Sequence, residues 1–168
     1  MLAQMMVAEN IAFYLIAAMM VFAAVRVVTA RNIVHSALYL VLVLAGVAAL
    51  YILLAAEFIA ISQVLVYIGA IIVLFLFGIM LTRAPMGPMY DTDNEQRAVG
   101  AAIAALLLGV MGYSLWRGFR DVQFVDLQVQ TTNDVANSVF STYVLPFEII
   151  SVVLLAALIG AIVLARRD

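Results

Sequence analysis

The sequence has no cysteine and no lysine, and holds a single histidine, three prolines and a single tryptophan in 168 residues. Without cysteine there is no disulfide framework, no thiolate metal site and no cysteine-held iron–sulfur cluster. One histidine, His35, falls short of the usual ligand sets for haem or copper. Charge is scarce as well: 11% of residues are charged against 68% hydrophobic, and the net charge is −2. So small an imbalance names no nucleic-acid or strongly acidic partner. Nor does any stretch pair a nucleophile with a base, cradle a phosphate in glycines or cluster metal ligands. The chain therefore reads as having no catalytic centre, no cofactor site and no metal site of its own.

What is abundant is apolar length. Soluble domains carry roughly half apolar and a quarter charged residues, so this chain lacks the polar groups to cover a water-facing surface. Lipid must be the solvent for most of it. Five apolar segments, at about 11–30, 33–55, 57–82, 99–116 and 143–165, reach the length a spanning helix needs. Helices are required because backbone amides in hydrocarbon must bond within their own segment. No basic region precedes the first run, which predicts a retained span and not a cleaved signal.

The expectation is one membrane domain over 1–168, an all-α integral membrane protein built as a bundle of five transmembrane helices. Short connections make the first three antiparallel neighbours. Polar loops are expected at 83–98 and 117–142, and VQFVDLQVQ (Val122–Gln130) alternates enough for a short strand or interfacial segment. With the N-terminus outside, Arg26, Arg31, Arg83, Arg97, Arg166 and Arg167 are cytoplasmic, and Arg117 and Arg120 are not. The arginine bias thus predicts N-out and C-cytoplasmic. Small residues at Ala101, Ala105 and Gly109, and at Ala156 and Gly160, predict close helix packing.

Polar residues inside these spans are few. Glu148 follows Pro146 at the start of the last helix, and Glu57 opens the third. Each carboxylate suits the positive end of a helix, and Glu148 also suits a proton relay or a pairing with a partner. Arg26 is placed to snorkel to the headgroups. In the third segment Gln63 and Tyr67 lie four apart, with Gly69 close behind. One reading is a polar contact beside a close approach of helices. The other is a π-bulge, eased by glycine, in which freed backbone groups, the Tyr67 hydroxyl and the Gln63 amide hold water.

These residues resemble a known family. AEFIAISQVLVYIGAIIVLFLFGIML (Ala56–Leu81), with VYIGAIIVLFLF at its core, is similar to the third helix of the subunit-J family of bacterial NADH–quinone oxidoreductase, respiratory complex I. RNIVHSALYL (Arg31–Leu40) and YVLPFEIISVVLLAALIGAIVLA (Tyr143–Ala165) resemble that family's second-helix start and last helix. The similarity is weakest over 99–142. It implies a subunit of the bacterial plasma membrane, neighbouring subunits A, H, K and N, and through them the antiporter-like and peripheral-arm subunits. FMN, the iron–sulfur clusters and the NADH site then belong to other subunits, with quinone reduced elsewhere in the complex.

The resemblance also assigns a π-bulge and gating rotation to Tyr67, Ile68 and Gly69. It marks Gln63, Tyr67, Glu148 and Glu57 as candidates for a proton or water path. Gln63 departs from members that carry a carboxylate there. A glutamine exchanges no proton near neutral pH, so a relay would run through water and neighbouring carboxylates. Two other readings stay open. One is the equivalent subunit of a complex with another electron donor, such as reduced deazaflavin or ferredoxin; the other is a small autonomous transporter, against which stand the scarce buried charges and the missing internal repeat.

Overall fold

The computed structural model describes residues 2–82, 96–122 and 129–166. Helix α1 (Leu2–Thr29) and α2 (Ile33–Leu53) form an antiparallel hairpin. The third span is one continuous rod in three parts: α3 (Glu57–Ser62), a π-helical segment (Gln63–Ile72) and α4 (Val73–Leu81). Then come α5 (Arg97–Phe119), α6 (Thr132–Phe140) and α7 (Val144–Ala165). Five stretches are long and apolar enough to cross a membrane: Val7–Thr29, Ile33–Leu53, Glu57–Leu81, Ala98–Phe119 and Val144–Ala165.

The five spans follow the apolar runs, with shifted ends. Helix α1 starts well before the expected residue 11 and runs through Glu9 and Asn10, since a helix that emerges into water tolerates polar residues. Asn32 caps α2, its side chain accepting a 2.9 Å bond from the Val34 amide. Helix α2 ends earlier than expected, at Leu53. There the Ala56 amide donates to Tyr51 and the Ala55 amide to Ile52, with Ala55 left-handed at φ 55°. This is the hydrogen-bond pattern that usually recruits glycine, and an alanine in it costs about 1 kcal/mol.

The expected polar loop at 117–142 contains a helix, α6. Thr131 and Asp134 build a reciprocal capping box: the threonine hydroxyl accepts from the Asp134 amide, and the Asp134 carboxylate accepts from the Thr131 amide and hydroxyl. Most of Val122–Gln130, the possible strand, lies outside the described residues. Phe140 meets Phe147 edge-on at 5.1 Å and fastens α6 to α7. Helix α6 also touches α3.

The packed centre is α2, which contacts α1 and all three parts of the third span. The Met20 side chain of α1 packs directly over Gly46 of α2: a Cβ at Gly46 would run into Met20 Cγ and Sδ. Among the described residues α5 packs against no other helix, and α7 only against α6. Both are apolar on all sides, as suits helices whose neighbours are lipid or other subunits.

Candidate functional site

The third span begins its π segment at Gln63, the only buried polar residue of those described, 7% exposed. The buried residues along this rod are Ala60, Gln63, Ile72 and Ile79. Helical arithmetic explains why they share one face. At about 100° per residue, an unbroken α-helix would set Ile72 about 180° from Gln63. Bonding from i to i+5 widens the turn to about 4.4 residues, or about 82° each, which returns Ile72 to within about 20° of Gln63. From Ile72 to Ile79 the α spacing resumes, and those two differ by only about 20°. The π segment therefore decides which face of α4 meets α2.

Tyr67, Ile68 and Gly69 sit inside this segment. Tyr67 is 49% exposed, so of the expected Gln63–Tyr67 pair only Gln63 is turned into the packed face. Gly69 has a local reason to be glycine: a Cβ there would lie 3.3 Å from the Val64 carbonyl oxygen, the i−5 acceptor of the widened turn. Ser62, just before the segment, donates its hydroxyl to the Phe58 carbonyl at 2.9 Å. The Gln63 side-chain amide forms no hydrogen bond among the described residues, yet none of its atoms is both sealed and unpartnered. It keeps an opening through which water or a neighbouring group can bond to it.

The carboxylates are elsewhere. Glu57 is exposed at the start of α3 and lines a groove of about 360 Å³ with Ile52, Ala60, Ile61, Val64 and Leu65. Glu148 is exposed on α7, where the Ser151 hydroxyl donates to its carbonyl oxygen at 2.8 Å. Since α7 does not touch the third span, the structure does not bring Glu148 to Gln63. No group of three or more His, Cys, Asp or Glu gathers among the described residues. The arrangement can hold water at the Gln63 side-chain amide, about two turns into the span.

The extent of the π segment was not visible from Tyr67 and Gly69 alone, because the burial of Ile72 and Ile79 depends on where α2 lies. The capping box of α6 did have a sequence signal, threonine three residues before an acid.

Comparison with known proteins matches residues 23–164 to the family described as NADH-ubiquinone/plastoquinone oxidoreductase chain 6. The chain is 39% identical over 163 residues to F(420)H(2) dehydrogenase subunit J of Methanosarcina mazei, covering 95% of this chain and 92% of that one. It is 39% identical over 165 residues to NAD(P)H-quinone oxidoreductase chain 6 of Synechocystis sp., covering 95% and 82%. Over 159 residues it is 37% identical to the chloroplastic subunit 6 of Cryptomeria japonica, covering 89% and 88%.

Proposed function

Because the chain belongs to the NADH-ubiquinone/plastoquinone oxidoreductase chain 6 family, we propose that its third span is a two-state helix coupling NADH-to-quinone electron transfer to proton movement. The chain itself is a membrane-arm subunit of a complex I-type, proton-pumping oxidoreductase and is enzymatic only within that complex. Its partners are other subunits of the complex, and its setting is the membrane.

One observation carries the gating reading: a π segment in mid-span, opening on the only buried polar residue of those described. Conversion of that segment to α-helix would rotate α4 by about 160° relative to α3. In water, swinging Ile72 and Ile79 out of contact would be opposed by the hydrophobic effect. In lipid it is not, because acyl chains are as apolar as the protein face they replace. The two forms then differ mainly in van der Waals fit and hydrogen-bond geometry, which leaves them close in free energy. Gln63 sits where such a rotation begins, and Tyr67 and Gly69 lie within the segment that converts. Gln63 holds water without exchanging a proton, so protons pass between that water and carboxylates of neighbouring subunits. Glu57 serves as a support at the start of α3 and Glu148 as a support in the second turn of α7.

The remaining assignments belong to the same proposal. The termini are outside (N) and cytoplasmic (C), and the membrane is the bacterial plasma membrane. Subunits A, H, K and N cover the apolar faces of α5 and α7. FMN and iron–sulfur clusters reside in the peripheral arm; with no cysteine, this chain supplies no thiolate for such a cluster. A second reading, the same role in a complex oxidising reduced deazaflavin, is favoured by the similarity to the F(420)H(2) dehydrogenase subunit.

The test is to purify the complex by a tag on this chain and measure donor-to-quinone electron transfer with proton uptake into vesicles. NADH oxidation with bound flavin supports the first donor; oxidation of reduced deazaflavin alone selects the second. Gly69→Leu in the assembled complex should lower turnover and pumping together. Unchanged turnover and pumping in that variant would remove the two-state helix and leave the family membership intact.

A further inference from the structure

At the end of the hairpin where α1 turns into α2, Arg26, His35, Leu38, Tyr39 and Leu42 line a groove of about 420 Å³. Arg26 lies one turn inside the end of α1, within the membrane span. Its guanidinium stands 5.3 Å from the centre of the Tyr39 ring, and Phe22 meets that ring edge-on at 6.4 Å. The Tyr39 ring, itself backed by Phe22, thus holds the cation in place. Among the described residues no carboxylate pairs with it. Arg26 is exposed one turn from the helix end, so its charge faces the headgroup level, where an anion from outside the chain is available to it.

The rest of the groove describes that anion. His35 is the third residue of α2, at a helix end whose free amides favour negative charge, and its ring supplies a further N–H. Leu38 and Leu42, one turn apart, extend the groove away from the cation with an apolar wall; Leu38 is 53% exposed. A ligand that fits is anionic at one end and hydrocarbon beyond it. Its charged end sits at the level where a span meets the headgroups, where aromatic and cationic residues gather. We propose that this groove binds an anionic phospholipid, Arg26 and His35 taking the phosphate and Leu38 and Leu42 the first carbons of an acyl chain. Basic pockets between spans recognise anionic headgroups by the same chemistry. The volume accommodates a phosphate and the start of a chain, and the remainder of the lipid lies along α2.

The test uses the intact complex. A photo-reactive amino acid at Leu38 should yield, on illumination in membranes containing phosphatidylglycerol, an adduct whose mass is that of the lipid. An adduct to another subunit would overturn the proposal and make the groove a protein contact. In parallel, lipids retained through purification are identified by mass spectrometry. Arg26→Gln should weaken retention of the anionic lipid about tenfold, the loss expected of a charge-assisted contact. Arg26→Lys should restore most of it, and Arg31→Gln, at the turn but outside the groove, should leave it unchanged. Equal loss from Arg31→Gln would mean general surface charge and no site. Millimolar inorganic phosphate should not displace the lipid; displacement by phosphate alone would show that the apolar wall contributes nothing and refute the lipid assignment.

Discussion

Substituting Gly69 with alanine tests the π segment directly. A Cβ at this position would stand 3.3 Å from the Val64 carbonyl oxygen, tighter than ordinary contact and against backbone that cannot swing aside. The π-form must then open by a few tenths of an ångström, at a cost of about 1 kcal/mol, the lower end for an added methyl group in a packed site. Alanine's general advantage over glycine in helices applies to both forms and cancels. A shift of about 1 kcal/mol changes the ratio of π to α forms about fivefold. The reporter follows from geometry. Leu74 is 73% exposed and lies about 200° around α4 from Ile72. A rotation of about 160° would carry it to the α2 side. Because the chain has no cysteine, Leu74→Cys provides a unique thiol for a nitroxide label. In the parent, the label should be mobile and accessible to oxygen dissolved in lipid. With Gly69→Ala, an immobilised, oxygen-shielded component should grow about fivefold relative to the mobile one. Identical spectra and oxygen accessibility in the two proteins would refute the claim that this contact helps balance two helical forms.

Other substitutions probe the scaffold around that switch. Gly46→Ala drives a Cβ into Met20 Cγ and Sδ and should destabilise the hairpin by about 1–3 kcal/mol. Detergent titration of the purified chain should show that loss and its partial recovery in the double variant with Met20→Ala; strictly additive effects would contradict the packing. Ala55→Gly relieves the left-handed alanine after α2 and should stabilise by about 1 kcal/mol in the same titration. Asp134 of α6 is held below the ordinary aspartate value of 3.8, first by the Thr131 hydroxyl and then by its amide. Its contribution is therefore complete above pH 3.8 and fades as pH falls through the lower folded value. Amide protection over 132–140, corrected for intrinsic exchange, should decline in that acid window. Asp134→Asn should abolish that decline.

Local chemistry determined a good deal of this protein. Apolar runs of bilayer length are a property of the chain alone, because lipid demands internally bonded helices wherever such a run occurs. The five spans and the α1–α2 hairpin were legible in that way, whereas the gating role expected of Tyr67 to Gly69 came with the family resemblance carried by the stretch around VYIGAIIVLFLF. Tertiary structure decided what depends on a neighbour. Spans that are apolar all round carry little periodic signal for which face packs inward, and lipid does not distinguish one leucine-rich face from another. The π segment brings Gln63, Ile72 and Ile79 onto one face, and only the position of α2 makes that face the buried one. For the same reason the Gly46–Met20 approach and the Phe140–Phe147 contact come from tertiary structure. Hydrophobicity decides that a segment enters the membrane; packing between helices decides how it is turned once there.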